Sequence, residues 1–327
     1  MDSRLRALAA QQGGHFTRAQ ALDCGLTDRD LRAAVRAGAL RRVRHGAYSF
    51  ADVFDALDPR ERHLVLAHAV MSSLSGRVAL THQSASAAHR HLQWGWDMTE
   101  VHVTRLDGGA GRNEAGVRHH VGAISDNDLV QVGSLVCANE VRSLVDATGE
   151  ISAESGVVMV DSALHIGEVD AHTLEAVAAQ RSDWPGSRRS RLVVRLSNGL
   201  SESVGESRSR YLFWRNALPA PTLQYVVRNA NQTLLGIADF GWEEWCHLGE
   251  FDGRLKYYRD LPGGQDPGDV VFREKRREDS LRAELFGMTR WTWGDLEPSR
   301  SDRLIRTIRQ ALAASRRRYT NHRTVIA

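Results

Sequence analysis

Five acidic residues fall within one short stretch, IADFGWEEWCHLGEFDG, residues 237–253, and three of them, Asp239, Glu250 and Asp252, could act together. The stretch reads as two short strands, about Leu234 to Phe240 and Trp245 to Phe251, joined by the turn Gly241-Trp242-Glu243-Glu244. Strand side chains alternate between faces, so Glu250 and Asp252 point the same way if the second strand runs through them. Hairpin pairing brings Asp239 beside them. Carboxylates that close repel and raise one another's pKa. A divalent ion removes the repulsion, and hard oxygen ligands suit Mg2+ or Mn2+. A solvated hairpin rim is the alternative reading. Glu206, at the start of a helix expected from Gly205, offers a further carboxylate.

The lysines point to the same part of the chain. Of 43 Lys and Arg residues only two are lysines, Lys256 and Lys275, and both follow the acidic stretch within the window from Asp239 to Arg276. Lysine is a compact point charge with a tunable pKa, and arginine is neither. A site that holds a water or a scissile phosphate can demand lysine specifically.

The remaining elements must position this chemistry on something. Residues 1–50 read as a small helical unit. A first helix runs from Arg4 to Gln11 and ends at Gly13-Gly14. Thr17-Arg18-Ala19-Gln20 has capping-box form and opens a second helix that stops at Gly25. Thr27-Asp28-Arg29-Asp30 opens a third, which stops at Gly38. At about 100° per residue, Arg32 and Arg36 fall within about 60° of Arg29, and Leu31, Ala34 and Val35 face the other way. One face is basic and the other is core. Arg41, Arg42 and Arg44 then line a two-stranded wing that turns at His45-Gly46. The segment holds nine Arg against four Asp, which favours nucleic acid as its partner.

Residues 1–50 resemble the winged helix of the AbiEi-type antitoxins, on the pattern GGHFTRAQAL…GLTDRDLRAAVRAGALRRVRHGAY. That resemblance implies DNA binding, repression of the protein's own promoter and a toxin protein as partner. It continues through residues 51–180, where Ala79-Leu80-Thr81-His82-Gln83-Ser84-Ala85 resembles the family's S-H-x-S-A-A segment. The expected elements there are a helix from Pro59 to Leu74 and strands at Glu100–Thr104 and Gly116–Val121. This middle part reads as scaffold or partner interface. The spacings of His82, His89, His91, His102, His119 and His120 fit no recognised metal-ligand set, so these residues are expected on strand or helix surfaces. Residues 181–200 read as a joint that ends in a basic helix.

Residues 201–327 carry a helix, three strands, a helix from Val271 to Phe286, a strand from Met288 to Trp293, and a terminal helix rich in arginine. This order resembles the restriction-endonuclease-like, PD-(D/E)XK, superfamily, in particular its Vsr-like branch. The matching residues are Glu206, Ala238-Asp239-Phe240, Glu250-Phe251-Asp252-Gly253 and Arg277-Glu278-Asp279-Ser280-Leu281. The family places a lysine two residues after the second acid, where this chain has Asp252, so Lys256 or Lys275 would have to supply that cation. The resemblance implies a metal-dependent DNA endonuclease, with Asp239, Glu250 and Glu206 holding Mg2+ or Mn2+.

The expected fold class is α+β multidomain: a winged helix-turn-helix over 1–50, an α/β domain over 51–180, a linker over 181–200, and a restriction-endonuclease-like α/β domain with a mixed central sheet over 201–327. Composition agrees with ordinary globular material, with 42% hydrophobic and 25% charged residues and a net charge of +3. No apolar run is long enough to span a bilayer and no signal-peptide core is evident, so a cytoplasmic protein without membrane contact is expected. Cys24, Cys137 and Cys246 are too scattered for a disulfide framework or a zinc cluster. Of two functions the first is favoured, on the retained acids and the isolated lysines, with the second as the alternative. The first is a DNA endonuclease delivered to its substrate by the winged helix. The second is an antitoxin-like repressor that keeps an inactive nuclease fold for homodimer formation or for holding a toxin. RNA processing is a third reading with less support from a winged helix.

Overall fold

The computed structural model describes residues 3–74, 78–108, 111–114, 116–229, 231–253 and 286–323. Lys256, Lys275 and the helix expected from Val271 lie outside the described residues. The chain divides into two compact units, residues 1–195 and 196–327.

The first unit begins with α1 (Ser3–Gln11), β1 (Phe16–Thr17), α2 (Arg18–Asp23), α3 (Asp28–Arg36), β2 (Leu40–Arg44) and β3 (Ala47–Phe50). Local chemistry sets these boundaries. Thr17 and Gln20 form a capping box at the start of α2, and Thr27 and Asp30 form one at the start of α3. Each satisfies backbone N–H groups that a helix start leaves without partners. Gly25 and Gly38 follow the helix ends with positive φ, a conformation that costs glycine little. Leu5, Phe16, Ala21, Leu31, Leu40 and Phe50 are buried together, with Ala34 and Val35 packed against them. The small sheet here has three strands where two were expected, in the order β1-β3-β2, because Phe16 and Thr17 pair with Tyr48 and Ala47.

The chain continues through α4 (Ala51–Phe54) and α5 (Pro59–Ser73) into a six-stranded mixed sheet, order β6-β7-β5-β4-β9-β8. Its strands are β4 (Val78–Leu80), β5 (Val101–Arg105), β6 (Arg112–Glu114), β7 (Val117–His120), β8 (Leu129–Val132) and β9 (Leu135–Ala138). Helices α6 (His82–Ala88), α7 (Glu140–Glu150), α8 (Ala153–His165), α9 (Ala171–Gln180) and α10 (Ser187–Leu196) complete the set. Val101, His102, Val103 and Thr104 are all buried, so β5 is covered on both faces. The histidine expectation is corrected here: His82, His91, His102 and His119 are buried, not on strand or helix surfaces. The basic helix expected in the joint is α10, and its Ser190 and Val193 are buried within the first unit, where Thr148 donates a hydrogen bond to Ser190 Oγ at 2.9 Å. A buried ion pair, Arg142 Nε to Asp146 Oδ2 at 2.7 Å, braces α7, and Arg142 also reaches Asp128 and the face of Trp184.

The second unit runs α11 (Val204–Arg215), β10 (Thr222–Arg228), β11 (Leu234–Trp242), β12 (His247–Asp252), β13 (Gly287–Thr292) and α12 (Pro298–Arg323). The sheet order is β10-β11-β12-β13, with two antiparallel pairings followed by a parallel one between β12 and β13. The expected mixed sheet is present. Its core gathers Phe213, Phe240, Trp242 and Trp291 with Leu304, Ile305, Ile308 and Leu312. Burying indoles requires partners for their N–H groups. Trp291 donates to Ser209 Oγ and Trp242 to the Pro219 carbonyl, each at 2.7 Å. Gly205 sits inside α11 despite its poor helix propensity, because a Cβ there would overlap the Phe251 ring. Among the described residues no helix is long and apolar enough to cross a membrane.

Candidate functional site

The residues expected from the sequence to carry chemistry fall into two groups, one in each unit. In the first unit, α3 presents Arg29, Arg32 and Arg36 to solvent while Leu31 on its opposite side is buried. The strand arginines divide by their partners. Arg41 makes a two-point pair with Asp55, at 2.9 and 2.6 Å, and also donates to the Gly38 carbonyl. Arg44 donates to Ser73 Oγ at 2.9 Å. Arg42 is exposed beside His45 Nδ1. Arg41 and Arg44 therefore tie β2 to neighbouring elements, and Arg29, Arg32, Arg36 and Arg42 form the open basic surface. Arg18 pairs with Asp28 at the start of α3, which holds that end of the helix to α2.

In the second unit, β12 runs through Asp252, so Glu250 and Asp252 share a face. The ladder between β11 and β12 ends at Phe240 opposite Gly249. One step further along each strand stand Asp239 and Glu250. There the strands open, and Asp239 Oδ2 accepts the Phe251 N–H at 2.7 Å in place of a ladder carbonyl. Glu250 is buried, and its Oε2 accepts from Arg290 Nε and Nη2, both at 2.8 Å. The parallel register places Arg290 directly opposite Glu250. The cation beside this acid is thus supplied from β13.

Glu206 lies near the start of α11 and is buried. Its carboxylate accepts from the Glu202 N–H at 3.0 Å, Ser203 Oγ at 2.7 Å and Gln224 Nε2 at 3.2 Å. Burial raises its pKa, with the Glu202 carboxylate adding to the rise, while the three hydrogen bonds oppose it. Gln224 adopts a left-handed backbone, φ 47°, that is unfavourable for a side chain. Among the described residues the expected ligands Asp239, Glu250 and Glu206 do not gather into a three-residue metal cluster. Gln224 and Arg290 were not visible as site residues from the sequence. Nothing local marks either one, because each reaches its acid through strand pairing or a turn of helix distant in the chain.

No curated protein matches this chain. Residues 3–51 match the family described as transcriptional regulator, AbiEi antitoxin, and the match spans α1 to β3, the elements that carry the open arginine surface.

Proposed function

We propose that the chain is a DNA-binding transcriptional regulator of the antitoxin type, whose N-terminal unit is a winged helix docking on duplex DNA through α3. The observation that carries this reading is the exposed row of Arg29, Arg32 and Arg36 on a helix whose other side is buried. A recognition helix needs that combination: a rigid apolar back and a basic face that enters the major groove. Arg42 on the wing then lies against the flanking backbone, where phosphate contacts fix register without reading sequence. The family match over residues 3–51 supports the same reading, and its description as an antitoxin brings a toxin protein into view as partner.

A second reading is favoured by the second unit, in which Asp239 and Glu250 stand opposite one another where two strands part. Mg2+ or Mn2+ bound there would polarise a phosphate and lower the pKa of a water. The geometry sets a condition on that reading. Arg290 already neutralises Glu250, and Glu206 is committed to Ser203, Gln224 and the Glu202 N–H. An ion must displace Arg290 or share Glu250 with it. Asp252, which stands where the family pattern has lysine, adds negative charge on the same face and no cation.

The two readings separate in one pair of assays with the full chain. Gel-shift titration of the DNA upstream of its own gene in EDTA tests recognition. Incubation of supercoiled plasmid with Mn2+ tests cleavage. Tight, metal-independent binding without nicking is the expected result. Nicking that vanishes in Asp239→Asn would establish the nuclease instead.

A further inference from the structure

The histidines of the first unit hold a second arrangement. His82, His120 and Glu150 each place a ligand atom within 4.8 Å of the other two. They come from three elements: the first residue of α6, the last of β7 and the last of α7. His82 holds its position with φ 51°, a left-handed conformation that a non-glycine residue adopts only when its surroundings enforce it. The two rings stack at 3.6 Å between centroids.

The hydrogen bonds already made leave a donor on each residue. His82 Nδ1 meets Thr81 Oγ1 at 3.0 Å, and that hydroxyl bonds onward to Thr104 Oγ1 at 2.9 Å. His120 Nε2 meets His102 Nδ1 at 2.9 Å, and His102 Nε2 lies 3.8 Å from Glu100. Glu150 Oε2 pairs with Arg118 Nη1 at 2.9 Å. Each residue thus has one ligand atom engaged by a neighbour and a second that can turn to an ion. Supporting partners of this kind fix the tautomer and ring orientation of metal-bound histidine. A cavity of about 30 Å³, lined in part by His82, Glu150 and Trp184, adjoins the group and has room for about one water.

From this geometry we infer that His82, His120 and Glu150 form a binding site for one zinc-class divalent ion, Zn2+ or Co2+, with water as the fourth ligand. Two imidazoles and a carboxylate with one open position are a donor set that zinc accepts and that magnesium, which prefers oxygen, does not. Parallel rings direct their lone pairs side by side, so binding splays the 15° stack until both nitrogens converge on the ion. The site is independent of the DNA-docking reading, since none of its residues lies in residues 3–51. His102 is a positioning residue, acting through His120.

The test uses the full chain, without a histidine tag, stripped with chelator and titrated with Zn2+ or Co2+. The expected result is one tight equivalent per chain, retained in Asp239→Asn and weakened at least about tenfold in His120→Ala and in Glu150→Gln. His102→Ala should weaken binding by about 10- to 100-fold, as loss of a supporting partner does. Glu150 lies at a helix end, so Glu150→Gln keeps the test open if His120→Ala fails to fold, and circular dichroism reports folding for each variant. The bound Co2+ spectrum should show nitrogen and oxygen ligands without a thiolate charge-transfer band. A folded parent that binds no Zn2+, equal affinity in parent and Glu150→Gln, or a thiolate band would each overturn the assignment.

Discussion

Replacing Arg290 with Gln tests how the acid pair of the second unit is held. In the parent, Glu250 Oε2 receives two guanidinium N–H groups at 2.8 Å, with side-chain exposures of 10% for Glu250 and 29% for Arg290. Breaking a fully enclosed pair by removing one partner costs about 3–5 kcal/mol. Water reaches Arg290 here, so about 2–4 kcal/mol is the reasonable figure after screening. Asp239, one ladder step beyond Phe240 and Gly249, adds like-charge repulsion once the cation is gone. At roughly 3–5 °C per kcal/mol for a unit of this size, Arg290→Gln should lower the melting temperature by about 6–20 °C. Glu250→Gln should restore much of that loss in the double variant, giving a coupling of about 2 kcal/mol in a double-mutant cycle. Removing the arginine takes one positive charge from beside Glu250, a place that Mn2+ can fill. Mn2+ should therefore stabilise Arg290→Gln more than the parent, by about 1.4 kcal/mol for each tenfold gain in affinity. The assay is thermal unfolding of the four proteins with and without Mn2+. Single effects that simply add, together with no extra Mn2+ response, would refute both the pairing and the acid site.

Three further outcomes follow from particular contacts. Gly205→Ala should destabilise the second unit by about 1–3 kcal/mol in urea unfolding, because the new methyl overlaps the Phe251 ring and outweighs the gain in helix propensity; a more stable variant would contradict the packing. His247 is buried between Ser315 Oγ and Thr289 Oγ1, and burial lowers its pKa from 6.5 to about 4. The folded state therefore resists protonation, so stability is intact above pH 6.5 and falls as pH drops toward 4, by up to about 3 kcal/mol in total; His247→Gln should flatten this slope in pH-dependent melting, and an unchanged slope would refute it. Arg316, Arg317 and Arg318 are exposed on α12, so their joint replacement by Ala should weaken binding to every duplex alike and reduce the salt slope by up to about 3, whereas a loss confined to one sequence would make them readers of bases.

Much of the N-terminal unit was legible because its signals are local. The capping threonines Thr17 and Thr27, the glycines at 25 and 38, and the arginine spacing on α3 all act within a turn or two of helix. The third strand of the small N-terminal sheet was not legible, since Phe16 and Thr17 become a strand only by pairing with Tyr48 and Ala47 far along the chain. The hairpin carrying Asp239 and Glu250 is present with shifted bounds: Gly241 and Trp242 extend β11, and the turn is a tight 3-10 segment, Glu243–Trp245, with Cys246 left-handed. The partner of Glu250 was hidden because Arg290 arrives by parallel pairing from 40 residues away. The buried histidines were misread for a related reason. Covering β5 on both faces removes the alternation that would mark His102 as internal, and only the sheet order brings it to His120.

Docking of α3 on DNA through its arginine face is measured by fluorescence anisotropy on a labelled duplex from the upstream region. The comparison is between the parent and Arg32→Ala, Arg36→Ala and their double variant over a range of salt concentrations, with Arg41→Ala as the control whose side chain is engaged by Asp55. Each α3 substitution should cost about 1–3 kcal/mol if that arginine reads a base, or lower the salt slope by about 1 if it holds a phosphate. Arg41→Ala should change affinity little. Equal affinity and equal salt slope for the parent and the Arg32→Ala/Arg36→Ala double variant would mean that α3 does not face the DNA.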